Sequence, residues 1–204
     1  MLNLPKSTEI SKRIPKKTIY TKFQMNTALK EKLDKDIYKI TLVNEITPEK
    51  INSVSGVNIK YFFVMHISLK NKDYDESNIL LISKLIPQKI IFLLEYGNES
   101  KVVIYHTKLI QTQWKSTDEL FIELKGLNIE DIWENIIIQI GNFTIKEGNT
   151  LEEQILLEDR LNKFKKEIEK LEKMAIREKQ PKKKFELVKK INKLKLEMEK
   201  QFNG

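Results

Sequence analysis

The sequence contains no cysteine. That excludes a disulfide framework, a thiolate metal site and a cysteine nucleophile together, and it suits a reducing compartment. Histidine is almost as scarce: His66 and His106 are too few for a histidine-rich metal centre. The six glycines stand singly, in neither the P-loop nor the dinucleotide-binding spacing. No Gly-x-Ser-x-Gly elbow marks a hydrolase nucleophile. Long apolar runs are missing as well. Tyr61–Met65 and Ile90–Leu94 are the longest, at five residues each, against the roughly 18 needed to cross a bilayer. The opening Met1-Leu2-Asn3-Leu4-Pro5-Lys6 has no apolar signal core. The expectation is a soluble, cytoplasmic protein without a bound metal or cofactor.

Charge is what the chain has in excess. Of 204 residues, 32% are charged and 40% apolar, with 37 basic against 29 acidic side chains and a net charge of +8. That is one ordinary domain plus a long solvated extension. The basicity is uneven. Residues 1 to 22 carry Lys6, Lys12, Arg13, Lys16, Lys17 and Lys22 against Glu9, and residues from 151 onward carry 16 basic and 11 acidic side chains. Each end is therefore +5, and the stretch between them is −2. Pro5 and Pro15 deny the first segment a continuous helix, so residues 1–25 are expected to form a basic arm, extended or partly ordered.

Residues 26–147 alternate helix and strand signals. Asn26 or Thr27 caps a helix running to about Asp36, and Ile37 to Ile46 reads as a strand. Thr47-Pro48-Glu49 starts one short helical turn. Ile59 to Leu69 is aromatic and β-branched, a strand buried on much of both faces. Asp75 caps a helix with Ile79, Ile82, Leu85 and Ile86 on one side, and Pro87 ends it. Lys89–Tyr96 and Lys101–Thr107, joined through Gly97-Asn98-Glu99-Ser100, form a β-hairpin. Glu119 to Lys125 suggests a further strand. Asn128 then caps a helix carrying Ile129, Ile132, Trp133, Ile136, Ile137 and Ile140 at helical spacing. The fold class expected is α+β: a small mixed, mostly antiparallel sheet with flanking helices.

Residues 148–204 have another texture. Thr150 and Glu153 form a capping box. Beyond it Leu157, Leu161, Phe164, Ile168, Leu171 and Ala175 step by 4, 3, 4, 3, 4, a heptad seam. The pattern breaks at Glu178-Lys179-Gln180-Pro181 and resumes with Leu187, Ile191, Leu194 and Met198. Proline at the break predicts two helices folded back as an antiparallel coiled-coil hairpin. The two arms either satisfy each other or leave apolar edge for a partner, and Phe164, Ile168, Leu171, Leu187, Ile191 and Leu194 are the candidate partner-binding residues. The turn is the most polarised spot, with seven cations between Arg177 and Lys190 against Glu178 and Glu186. Such a cluster neutralises phosphates by counterion release, or is simply a solvated lysine-rich loop. Lys182, Lys183 and Lys184, with Lys12, Arg13, Lys16 and Lys17 of the arm, are the candidate nucleic-acid contacts.

Catalytic chemistry has one weak trace. Glu123-Leu124-Lys125 closes the suggested strand before a helix, where nucleases of the restriction-endonuclease fold place an acid-x-lysine pair to hold magnesium. The further acid should come from the hairpin, but Lys101–Tyr105 offers none, and Glu95 and Glu99 are the nearest substitutes. Ser68-Leu69-Lys70 has the lysine without the acid. His66, in an apolar strand, reads as a core residue, and His106 as a half-exposed strand end.

Several segments carry a resemblance. Leu4-Pro5-Lys6-Ser7-Thr8, Lys12-Arg13-Ile14-Pro15-Lys16 and Ala28-Leu29-Lys30 resemble the start of a prokaryotic family catalogued as domain of unknown function 4391. Ile86-Pro87 before the strand Ile90–Glu95 is similar too. So are Gly126-Leu127-Asn128-Ile129 leading into Trp133-Glu134-Asn135 and Gln139-Ile140, and the closing turn Glu178-Lys179-Gln180 with Lys184. Pro181 departs from the aromatic residue of the relatives and sharpens the turn. The resemblance implies an accessory protein, encoded beside helicase-like ATPases and DNA methyltransferases in restriction or antiphage defence loci, with no active site to transfer. The first expectation is thus a non-catalytic adaptor docking on a helicase or methyltransferase subunit through the hairpin. The second is non-specific nucleic-acid binding through the basic arm and hairpin tip, and the third a degenerate magnesium-dependent nuclease at Glu123 and Lys125.

Overall fold

A computed structural model describes residues 2–202 and divides the chain into two compact units, Met1–Asn142 and Phe143–Gly204. The first is a mixed α/β body on a seven-stranded open sheet. Its strands are β1 (Glu9–Arg13), β2 (Ile37–Ile46), β3 (Phe62–Leu69), β4 (Lys89–Tyr96), β5 (Glu99–Tyr105), β6 (Leu109–Gln111) and β7 (Lys115–Ser116). Strands β1 to β6 lie side by side in chain order, with β7 beside β5. Every pairing is antiparallel except β3 with β4. That parallel pair needs a crossover, which α4 (Glu76–Leu85) supplies.

The apolar runs of β3 and β4 are long because both faces of the sheet are covered. Met65, Ile67, Leu69, Ile90, Phe92, Leu94 and Val103 point to one face, where they pack with Leu33, Ile79 and Ile82. Leu33 belongs to α2 (Thr27–Asp36), whose first turn is capped by Asn26 Oδ1 accepting from the Leu29 amide at 2.9 Å. The alternate residues face α5 (Ile129–Gly141), and the Phe62 and Trp133 rings sit 5.2 Å apart, tilted. Asn128 Oδ1 accepts from the Glu130 and Asp131 amides, both at 2.9 Å, which fixes the start of α5. A Cβ at Gly126 would lie 2.6 Å from the Ile132 nitrogen, so only glycine lets the chain pass this close to the helix. The β4–β5 turn is tighter than expected: Gly97, at φ +61°, and Asn98 alone connect the strands.

The N-terminal segment is not a loose arm. Lys6–Thr8 form a single 3-10 turn, Glu9–Arg13 pair with β2 at the sheet edge, and Lys16–Lys22 form α1. The two prolines do not interrupt this order because each stands just before a helix, where its missing N–H costs nothing. Thr8 is buried, and its hydroxyl donates to the Pro5 carbonyl at 2.7 Å and accepts from Asn44 Nδ2 at 2.9 Å. The strand expected at Glu119–Lys125 does not form either. Thr117–Glu119 make one 3-10 turn and Phe121 makes an isolated parallel bridge to Leu2. Gln139 takes up the backbone that a strand neighbour would have satisfied: its Oε1 accepts from the Glu123 amide at 3.0 Å, and its Nε2 donates to the Glu123 carbonyl at 2.8 Å.

The second unit contains α6 (Leu151–Arg177) and α7 (Pro181–Phe202), packed together as a hairpin. At 27 residues, α6 is about 40 Å long. The capping box forms in full: Thr150 Oγ1 accepts from the Glu153 amide at 3.3 Å, and Glu153 Oε2 accepts from the Thr150 amide at 2.8 Å. At the turn, Glu178 Oε1 accepts from the Gln180 amide at 2.9 Å, and Pro181 takes the first helical position of α7.

Candidate functional site

The heptad residues of the hairpin close on each other. Ile168, Leu171, Ala175 and Ile191 are 6–7% exposed and form one cluster, with Leu187, Leu194 and Met198 packed against it. Counting outward from the turn, Ala175 and Leu187 come first, then Leu171 and Ile191, then Ile168 and Leu194. Phe164 is half-buried. All the expected partner-binding residues except Phe164 therefore pack between the two arms, and Ile168, Leu171 and Ile191 present no free apolar face. Two-stranded coiled coils bury their a and d positions in this way.

The outside of the hairpin is basic. Residues 163–195 carry 14 lysines and arginines against five acids, a net of +9 that exceeds the +8 of the entire chain. All 14 cations are exposed. Some acids are already spent: Glu169 pairs with Lys173 at 2.5 Å, and Glu172 pairs across the hairpin with Lys195 at 2.8 Å. The Lys173 ammonium holds the Glu169 carboxyl below its ordinary pKa. Lys163, Lys166, Lys170, Lys173 and Arg177 step by 3, 4, 3, 4 along α6, a line of charge on one side of the helix. Lys182, Lys183 and Lys184 stand exposed in the first turn of α7.

Of the N-terminal cations, Lys12 and Arg13 are exposed on edge strand β1 and Lys17 is exposed on α1. Lys16 is engaged: it pairs with Asp34 and donates to the Ile37 carbonyl at 3.0 Å. These residues sit on the body and Lys182–Lys184 on the hairpin, each set in its own unit.

Apolar residues also lie outside the seam at the tip, where no expectation had placed them. Ile176 is 79% and Phe185 70% exposed, and Val188 is exposed too. In an antiparallel pair the e positions of both helices meet on one flank, which the Glu172–Lys195 ion pair marks. Ile176 and Phe185 fall at b positions, outside e on that same flank, and Val188 falls at e. Assigning heptad letters to the residues between seam positions would have found this triad.

The acid-x-lysine pair has none of the geometry of a metal site. Lys125 pairs with Glu123 itself, in a segment that is not a strand. Glu99 pairs with Lys72, and His66 Nε2–H donates to Glu95 Oε2 at 3.0 Å. Lys70 donates to the Asp34 carbonyl at 2.5 Å. Among the described residues no three histidine, aspartate or glutamate side chains gather to hold a metal ion.

The body buries the side chain of Lys101. Lys101 is 7% exposed, lies 4.8 Å from the Tyr74 ring centroid and 5.3 Å from that of Trp114, and donates to Gln111 Oε1 at 2.8 Å. Gln111 Nε2 in turn donates to Glu76 Oε1 at 2.7 Å. Burial lowers the Lys101 pKa, partly offset by the Glu76 charge, and burial raises the Tyr74 hydroxyl pKa. The alternation of β5 gives no hint that a lysine belongs on its core side.

The family model for the domain of unknown function DUF4391 matches residues 2–198, nearly the full length of body and hairpin together. The chain belongs to this family. No curated protein and no solved structure matches it. The DUF4391 segments noted in the sequence fall at structural joints: Pro5 and Pro15 open helical turns, Gly126 and Asn128 start α5, and Glu178 and Gln180 make the hairpin turn. Among the described residues of this member, no helix is long and apolar enough to cross a membrane.

Proposed function

We propose that this DUF4391 member is a non-catalytic accessory protein that holds nucleic-acid phosphates along its C-terminal hairpin. The observation that carries this reading is the division of labour in α6 and α7. The seam from Ile168 to Ala175 packs against Leu187 to Met198 between the helices, and the outer surface of residues 163–195 carries 14 cations against five acids. A rod-like array of that sign releases condensed counterions when it lies along a polyanion. Residues 163–177 span about 21 Å of helix, roughly six phosphates of one strand at 3.4 Å apiece. No recognition-helix signature accompanies the charge, so binding is non-specific and steeply salt-dependent. Lys12, Arg13 and Lys17 form a second exposed basic set, on the body.

A salt titration tests the reading. Replacing Lys182, Lys183 and Lys184 with glutamine should weaken binding to every sequence alike and reduce the slope of log K against log salt by about 2 to 3. Absence of wild-type binding at low salt defeats it.

A second reading, an adaptor for a helicase or DNA-methyltransferase subunit in a restriction or antiphage defence system, is favoured by the exposed apolar residues Val188 and Leu196 of α7. Leu196→Asp should then abolish co-purification with a co-expressed subunit encoded beside the gene while leaving nucleic-acid binding intact.

A further inference from the structure

At the tip of the hairpin an exposed aromatic ring stands among exposed cations. Phe185 lies one turn into α7 and is 70% exposed. Its helical neighbours at i−3 and i+4 are Lys182 and Lys189, both exposed, so a cation stands on either side of the ring. Ile176 and Val188 share its flank. Several rings of the body are engaged internally: Lys22 lies over Phe23, Lys101 over Tyr74 and Trp114, and Phe62 packs on Trp133, while Tyr38 and Phe121 are exposed on the body, not on the hairpin that carries the lysine array. Among the described residues nothing of this kind covers Phe185.

Three classes of occupant suit an apolar-cationic tip, and the charge distribution separates them. A membrane surface would meet the tip alone. Lys163, Lys166 and Lys195 lie up to about 20 Å back along the rod, beyond the roughly 8–10 Å over which charge is felt at physiological salt, and would contribute nothing. A stable protein interface needs about 800 Å² on each side, more than three side chains supply. A nucleic acid uses both features, since its backbone runs along the lysines and an unpaired base offers a flat apolar face to the ring.

We infer that the hairpin tip binds single-stranded nucleic acid, or a strand end or junction, by stacking an unpaired base on Phe185 while Lys182 and Lys189 hold the flanking phosphates. The inference rests on the phosphate-binding reading of the hairpin and adds a preference for unpaired over duplex substrates. Base-on-aromatic stacking contributes to affinity without selecting a sequence, because every base has such a face. The lysine array alone would favour the higher charge density of a duplex.

Fluorescence anisotropy with a labelled 20-nucleotide oligothymidylate and a duplex of equal length, at low salt, tests this on the full chain. Wild type should bind the oligothymidylate more tightly than the duplex. Phe185→Ala should weaken the single-strand complex about tenfold with the salt slope unchanged. Phe185→Trp should restore it, and its added indole emission should be quenched on binding. Circular dichroism checks that both variants keep the hairpin helical. If Phe185→Ala binds oligothymidylate as well as wild type while the Lys182, Lys183, Lys184 glutamine variant is weakened, stacking is wrong and phosphate binding stands. If wild type binds neither probe at low salt, both fail. Binding to phosphatidylserine vesicles without binding to either probe also overturns both and assigns the tip to a membrane surface.

Discussion

The body and the hairpin treat the same side chain in opposite ways. In the body, lysines that reach the interior are given partners: Lys101 has two rings and an amide oxygen, and Lys16 has a carboxylate and a backbone carbonyl. In the hairpin, lysines stand in water along two helices and acids are too few to neutralise them. Desolvation explains the first pattern, since a charge taken from water must find compensation. Self-repulsion makes the second costly unless something else gains from it. A buried lysine of the body therefore serves the fold, whereas the exposed lysines of the hairpin are, on the proposed reading, left to an outside anion.

The largest effect is expected from removing what keeps the hairpin together. Ile168→Asp combined with Ile191→Asp places two carboxylates in the seam and should cost at least about 3 kcal/mol at each site. The expected result is loss of most of the helical circular dichroism of residues 151–202 and rapid proteolysis there, with the body's cooperative urea transition retained. Loss of the body's transition as well would show that the two units do not fold separately.

A subtler change sharpens the contrast from the body's side. Lys101→Met should alter stability at neutral pH by no more than about 2 kcal/mol, because lost cation–π attraction is set against a charge no longer buried. Its signature is pH dependence. The folded Lys101 has its pKa below the ordinary 10.5, so the unfolded chain holds this proton to higher pH. The cost of burying the charge is full at neutral pH and is relieved as pH rises from the lowered folded value toward 10.5. Wild type should gain stability relative to Lys101→Met as pH is raised from neutrality toward 10.5, read from urea midpoints. A constant difference across that range would mean that Lys101 is not desolvated.

The smallest effect is expected at Glu123 and Lys125, paired with each other at the surface. Replacing both with alanine should shift stability by less than about 0.5 kcal/mol and leave nucleic-acid binding unchanged. A magnesium-dependent cleavage activity lost in this variant would restore the nuclease reading.

What was legible in the sequence follows the strength of local signals. Caps at Asn26, Asp75, Asn128 and Thr150 and the periodicities beside them located α2, α4, α5 and α6, since those signals are written within one or two turns. Pro181 and the interrupted heptad gave the hairpin. The N-terminal strand escaped because Glu9–Arg13 has no alternation of its own and is ordered by β2, about 30 residues further on. Glu119–Lys125 misled for the converse reason: its apolar spacing suits a strand, but the segment is satisfied by the Gln139 side chain instead. At the site, the cations were visible as composition. Whether the apolar stripe faced inward or out depended on how two helices meet, which no single stretch of sequence encodes.

The small bridge between Leu2 and Phe121, with the Ile122 amide donating to the Leu2 carbonyl at 3.1 Å, has a consequence for how the molecule is made. Its two sides are about 120 residues apart, among the most distant pairs a growing chain can be asked to close. Ribosomes would have to deliver nearly all of the body before Leu2 could settle, whereas the paired helices need only each other's forty-odd residues. Seating of that early segment is thus expected to be the late, slow event of biogenesis, and the hairpin a fast local one.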